Sequence, residues 1–391
     1  MKTPFRLASV VYLLFSIFHL LAATAASAQG SLTPPGAPAP IFKTLQQIEP
    51  RTDLQSPTLP PGVTTDANFE FIINQPGSYY LSANLAVTKF AGIKINAEGV
   101  TLDLNGFEVR RTGGSGGVGI QILVTSHRCV VRNGSIKGFF TGADGYNGGS
   151  PARGGRFEQL TVTGCATFGL SAGEGWEIDR CNAHDNAGQG IVAFGKGSTV
   201  RDCSAINNRT PGIAVVEGVV SNCAANTNTT PADTTQTGGI VAFDSTVINC
   251  VSSNNTSGST ATDAGAGIYA QGSSIVKNCT VESNKGDGII ATGNCLILEN
   301  NSVGNGNGIG NGAGIRAFNS GNRIEGNSTI DNDIGIRADG TGNLIIKNTS
   351  RGGGAAITFA PGNSVGEIID VWNGGAGATI TATNPWANFA Y

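Results

Sequence analysis

The residues of this chain that could do chemistry crowd into one stretch. Asp144, Tyr146, Arg153, Arg156, Glu158, Glu174, Trp176, Glu177, Asp179, Arg180, His184 and Asp185 supply carboxylates, guanidinium groups, an imidazole and two kinds of aromatic ring. Paired carboxylates are what glycoside hydrolysis needs. Elimination from a uronate needs acids that can hold Ca²⁺ beside an Arg or Lys base. Glu158, Asp179 and Arg201 lie one repeat apart, so two acids and a base would stack in one column. They are the catalytic candidates. Arg156 and Glu177 align in a neighbouring column. The competing reading is an ordinary solvated ladder, because the same column continues as Ser221, Ile248, Lys277, Glu299, Glu325 and Ile346. His184-Asp185 is a weaker pair, since adjacent strand residues point to opposite faces. No Gly-Asp-Asp or His-Gly cluster of the pectin hydrolase type occurs, and no acidic cluster fits Ca²⁺. No Cys-x-x-Cys pair occurs, and the three His give no ligand pattern. No cofactor and no metal are expected.

What must position these side chains is a repeat. A Gly followed by an aliphatic residue recurs at Gly92-Ile93, Gly119-Ile120, Gly169-Leu170, Gly190-Ile191, Gly212-Ile213, Gly239-Ile240, Gly267-Ile268, Gly288-Ile289, Gly314-Ile315 and Gly335-Ile336. Ala356-Ile357 is a degenerate last copy, and Gly142 marks an extra coil in the long gap after Gly119. A second register aligns Gly134, Leu160, Cys181, Cys203, Cys223, Cys250, Cys279, Asn301, Asn327 and Asn348. Three places earlier stand Val131, Phe157, Ile178, Val200, Val220, Val247, Val276, Leu298, Ile324 and Ile345, all apolar. Five places later Asn recurs at 186, 208, 228, 255, 284 and 332.

A coil of about 20 residues holds three short strands and three turns, and stacking at about 4.8 Å buries its apolar column against the next coil. The consensus of leucine-rich repeats is missing, as are propeller-length blades and a six-residue period. The expected fold is therefore all-β: a single-stranded right-handed parallel β-helix, a solenoid of about eleven coils. Insertions at 229–237, 256–264 and 306–312 enter between the Asn column and the next Gly-aliphatic pair. The excursion 142–155 looks like the same sector. Loops sharing a sector project from one side, either as a binding side or as neutral growth. Residues from Phe69 to Leu85 look like the first strands and an N-terminal cap, and Trp372, Trp386, Phe389 and Tyr391 are expected to cover the last coil rather than form a sugar-binding platform.

The eight Cys do not read as a disulfide framework. Cys181, Cys203, Cys223, Cys250 and Cys279 share one column, where parallel side chains point the same way, so a buried thiol ladder is expected. Its continuation as Asn301, Asn327 and Asn348 suits a packing role. Cys165 falls in the Asn column, and Cys129 and Cys295 have no place in either.

Composition excludes other classes. Of 391 residues 58 are Gly and only 13% are charged, and the net charge of −3 has no basic stripe, so nucleic acid is not an expected partner. Residues 1–28 read as a signal peptide, with Lys2 and Arg6, an apolar stretch from Val10 to Ala23, and Ala26-Ser27-Ala28 as the cleavage motif. The stretch is short for a membrane span, and no other segment is long enough to insert. Residues 29–67 read as a Pro-rich linker and 68–391 as the β-helix with its caps. The mature chain is expected outside the cytoplasm, secreted or at the cell surface, as a monomer.

Five segments carry a resemblance: 43–53 (KTLQQIEPRTD), 75–81 (QPGSYYL), 100–107 (VTLDLNGF), 131–136 (VRNGSI) and 384–391 (NPWANFAY). The chain resembles the pectate-lyase-like superfamily of right-handed parallel β-helices. Within it, these segments are most similar to a group of secreted bacterial repeat proteins of planctomycete and verrucomicrobial type. They are cap and coil segments, so the resemblance implies a fold and an address without a reaction. Two functions follow as expectations. One is a non-catalytic glycan-binding or cell-surface component with extracellular polysaccharide as partner. The other is a polysaccharide lyase or glycoside hydrolase acting on acidic polysaccharide.

Overall fold

The computed structural model describes residues 51–114, 116–149, 151–209, 211–231, 237–258, 264–306, 312–371 and 383–391. Residues 1–28, read above as a signal peptide, the Pro-rich residues before 51, the centres of the three insertions and Trp372 lie outside the described residues.

A typical turn makes three strands, as in Glu177–Asp179, Asn182–His184 and Gln189–Phe194, here called strands a, b and c of the turn; in Val130–Lys137 and Arg156–Thr163 a and b run together. Among the described residues, strands a and b form one bent 26-stranded sheet and strands c a 14-stranded sheet. Pairing is parallel and in register from turn to turn. Phe157, Ile178 and Val200 align in a, Val162, Ala183 and Ala205 in b, and Leu170, Ile191 and Ile213 in c. Parallel neighbours need a crossover, and here the rest of each turn is the crossover, with the right-handed sense that strand twist favours. The right-handed parallel β-helix is thus as expected, but the coil count is not. One member of the 14-stranded sheet, Val63–Thr64, pairs antiparallel, which leaves thirteen parallel turns against the expected eleven. The two turns beyond the eleven are the coil marked by Gly142, with strand Thr141–Asp144, and a first turn at Phe69–Ile73, where Phe71 fills the slot of Ile93 without the Gly signature.

The corners explain the repeat. Arg180 and Asp185 adopt φ of 51° and 55°, the left-handed conformation, and the residue after each turns inward as Cys181 and Asn186. A left-handed residue breaks the strand and redirects the chain, which is why Asn, Asp and Gly crowd these positions. The Asn corner is a continuous amide ladder. Each Oδ1 accepts from the backbone N and the Nδ2 of the turn before, from Asn186 through Asn208, Asn228, Asn255, Asn284 and Asn305 to Asn332. Cys165 starts this ladder, its N donating to Asn186 Oδ1 at 2.9 Å.

The Cys column stacks as expected, and all eight thiols are free and buried. The backbone N of Cys181 donates to Cys203 Sγ, and that of Cys203 to Cys223 Sγ, both at 3.4 Å. An amide then takes over the thiol's role, with Cys279 N donating to Asn300 Oδ1 at 2.9 Å. The acceptor is Asn300, not Asn301, so the sequence alignment slips by one residue in that turn. Ile297 pairs with Val276 and Ile324 in the core, while Leu298 stands outside and Glu299 occupies the left-handed corner. Two adjacent Asn allow either alignment, and a one-residue slip exchanges inside for outside. Cys129 and Cys295 find their place in a third corner ladder with Ser198, Ser245, Ser274, Asn322, Asn343 and Asn363.

The N-terminal boundary moves as well. Thr52–Asp53 pairs in parallel with Gly77–Tyr80 and Leu54 is fully buried, so residues 51–67 belong to the solenoid and its antiparallel cap rather than to a linker. The C-terminal strand Asn388–Ala390 pairs with Thr349–Arg351, and Asn388 closes the Cys/Asn ladder by accepting from Asn348.

The two sheets differ on their outer faces. Outward residues of strands c, namely Val192, Val241, Tyr269 and Ile290, are shielded from solvent and form a second apolar cluster with Phe168, Phe194 and Phe243. The insertions at 229–237, 256–264 and 306–312 lead into these strands, whereas the excursion 142–155 leaves one of them. That excursion therefore sits in a different sector, at the exit of strand c. The open faces are those of strands a and b.

Candidate functional site

Glu158, Asp179 and Arg201 are brought together as the repeat implied, on adjacent rungs of strand a. Their chemistry is decided by what surrounds them. The left-handed turn at Arg180 folds its side chain back over the sheet, where Nε meets Asp179 Oδ2 at 2.9 Å and an Nη reaches Glu158 Oε1 at 2.5 Å. From the other side Arg201 Nε lies 3.0 Å from Asp179 Oδ1, and its Nη lies 2.7 Å from Glu177 Oε1. Arg156 pairs with Glu177 in turn. Only 2% of the Asp179 side chain is exposed, whereas Arg156, Arg180 and Arg201 are 41–52% exposed. The acids lie beneath and the guanidinium groups above them.

The same motif stands further up the same column. Asp103 is sunk between Arg51 Nη1 and Arg132 Nη2, each 3.1 Å from one carboxylate oxygen. Sequence reading missed this group, although Arg132 aligns with Glu158. Each acid holds its arginines at fixed positions, and the donors of Arg132, Arg180 and Arg201 that point away from it can meet a planar anion.

The other sequence candidates scatter. Trp176 is a core residue. Its ring packs at a tilt against Phe157 with centroids 4.6 Å apart, donates Nε1–H to Ala152 O at 2.7 Å, and fills the room left by Gly145 and Gly155. Asp144 caps a turn by accepting from the backbone N of Tyr146 and Asn147, and Tyr146 packs on Phe194. Arg153 and Glu174 form a loop ion pair. His184 and Asp185 do meet on the strand b face, and the hydrogen bond from His184 holds the Asp185 carboxyl below its ordinary range, with help from Asn207. One buried acid, just ahead of a strand c, is singled out by no sequence pattern. Asp287 is pushed up to about 6 by burial, although it accepts from Ala313 N and lies 3.4 Å from Arg316 Nη1.

Among the described residues no three His, Cys, Asp or Glu side chains converge as metal ligands, and no helix is long and apolar enough to cross a membrane. The aromatic C-terminus differs from expectation. Phe389 pairs within the last strand, but Trp386 is 51% exposed and stands on the strand a face.

The family model described as the right-handed β-helix region matches residues 91–263 and 248–385. The chain belongs to this right-handed β-helix family. No curated protein matches it in sequence. Among solved structures, this β-helix is similar to the A-modules of two mannuronan C-5 epimerases of Azotobacter vinelandii. One is 17% identical with a TM-score of 0.59 and the other 15% identical with a TM-score of 0.60; each comparison covers 74% of this chain and 91% of the module. At such identity the likeness establishes the β-helix and nothing about its chemistry.

Proposed function

We propose that the protein is an exported, monomeric, non-catalytic binder of acidic polysaccharide, with the polymer lying along the strand a face. The observation that carries this reading is the burial of Asp179 under Arg180 and Arg201, repeated at Asp103 under Arg51 and Arg132. A hydrolase presents two carboxylates to opposite sides of a glycosidic bond. Here the acids are occupied by guanidinium groups, and the surface offers arginine. Arg132, Arg156, Arg180 and Arg201 come from successive turns about 4.8 Å apart, which suits a linear chain of repeated carboxylates. The shared fold of the mannuronan epimerase modules makes a uronate polymer the first ligand to try.

The test uses the purified chain with alginate, polygalacturonate and neutral dextran. Expected are salt-sensitive binding of the polyuronates, no binding of dextran, and a loss of about tenfold or more in Arg180→Ala/Arg201→Ala. No unsaturated sugars or new reducing ends should form. Release of either, abolished by Asp179→Asn, would overturn the reading in favour of a lyase or hydrolase.

A further inference from the structure

Both outward columns of strand a continue past Arg201 to the far end of the solenoid, where they run into a cleft. In one column Ser221, Ile248, Lys277, Leu298, Glu325 and Ile346 follow Arg201. In the other, Val219, Thr246, Ile275, Leu296, Arg323 and Leu344 follow Thr199. The face thus changes from arginine over buried acid to aliphatic, and ends at a cavity of about 510 Å³ walled by Trp386. Its floor is Leu344, Ile346 and Val365, and its polar groups are Ser364, Asn384, Arg323 and Glu367. That size and lining are those of a small-molecule site, mostly apolar with a few placed polar groups.

The backbone that carries the indole is anchored. Trp386 N donates to Asn384 Oδ1 at 3.0 Å, its O accepts from Lys347 N at 3.3 Å, and two residues later Asn388 is locked into the interior ladder. Gly366 permits this approach, since a Cβ there would fall 2.0 Å from Trp386 O. Lys347 Nζ lies 4.6 Å from the ring centroid without lining the cleft. Glu325 joins Lys347 to Arg323 and is held below its ordinary range by them, and of the three only Arg323 lines the cleft.

We infer that this cleft is a subsite for one pyranose ring of the glycan, stacked by its C–H face on Trp386 with its hydroxyls toward Asn384, Ser364 and Arg323. An exposed indole over an aliphatic floor matches a ring that is apolar on its face and polar at its edge. The inference deepens the binding reading above and rests on it for the ligand class, but it stands on different residues.

The experiment is a titration of the whole chain with uronate hexasaccharides (mannuronate and galacturonate) and with the full-length polymers. It compares wild type, Trp386→Ala, Trp386→Phe and Arg180→Ala/Arg201→Ala, each first checked for an unchanged β-sheet circular dichroism spectrum. Hexasaccharide affinity should fall about tenfold or more in Trp386→Ala, recover largely in Trp386→Phe, and persist in the arginine variant. Equal hexasaccharide affinity in wild type and Trp386→Ala, with polymer binding still lost in the arginine variant, overturns the subsite and leaves the arginine face standing. Absence of binding by wild type to any of these ligands overturns both.

Discussion

His184 and Asp185 are neighbours in the chain, yet the imidazole Nδ1 and the carboxylate Oδ2 lie 2.7 Å apart on one face of the sheet. Alternation along a strand would put them on opposite faces. Strand b ends at His184, however, and Asp185 takes a φ of 55°, which swings its side chain back. A carboxylate can only accept, so neutral His184 carries its proton on Nδ1. Asp185→Asn keeps the left-handed corner and shifts the imidazole toward the other tautomer, read by long-range ¹⁵N–¹H correlations. Asp185→Val destabilises the fold by about 1–2 kcal/mol, because a β-branched residue does not tolerate this conformation.

The amide ladder makes a stronger demand. Asn228 Oδ1 accepts from Asn208 N and Nδ2, and its Nδ2 donates to Asn255 Oδ1 and Ala205 O. Asn228→Leu strands buried donors on one side and an acceptor on the other, and should cost about 3 kcal/mol or more in urea unfolding. Thr229→Ala, one residue on and exposed, should change stability by less than about 0.5 kcal/mol.

Thiol titration checks the Cys columns. All eight cysteines are free and buried, and burial pushes Cys165 and Cys295 up to about 11. The native protein should resist a thiol reagent at neutral pH, and the denatured protein should release eight equivalents without prior reduction. Fewer equivalents from the unreduced, denatured chain would mean that a disulfide is present.

Trp176 occupies space that two glycines leave open. A Cβ at Gly145 or Gly155 would lie 2.4 or 2.5 Å from Trp176 Cζ2. Gly155→Ala should therefore destabilise by about 1–3 kcal/mol, and the loss should shrink when Trp176 is also replaced by Leu. Additive losses in the double-mutant cycle would contradict the packing described.

Asp287 gives stability a pH dependence of unusual sign. Its carboxyl titrates at about 6 in the fold, because of burial, and at an ordinary low value in the unfolded chain. Between those values the unfolded chain has released the proton that the fold retains. Stability therefore falls as pH rises through this window, by about 3 kcal/mol in all. The difference in unfolding free energy between wild type and Asp287→Asn, followed from pH 4 to pH 7, isolates this contribution from other carboxyls such as Glu325, which shift the opposite way.

Much of the fold is legible in the residues. The inward column from Val131 to Val276 can be read because its positions tolerate only apolar side chains, and the Cys and Asn columns because each corner repeats one demand. The alignment fails one turn later, at Leu298, for a definite reason. Asn300 and Asn301 look alike in sequence, and only the hydrogen bond from Cys279 N to Asn300 Oδ1 tells which one turns inward. Sequence alone also places Trp386 over the last coil, because an aromatic cluster at the end of a solenoid usually shields its open edge. The strand Asn388–Ala390 closes that edge instead.

The sequence by itself determined the solenoid and the alignment of Glu158, Asp179 and Arg201 in one column, because a parallel stack repeats its register and periodicity is visible in a linear chain. Only the tertiary structure decided what that column presents to solvent. Whether a carboxylate lies above or beneath its arginines depends on corner dihedrals and side-chain reach, as in the backward fold of Arg180 onto Asp179. Residue spacing encodes neither, because it fixes only the column in which a residue stands.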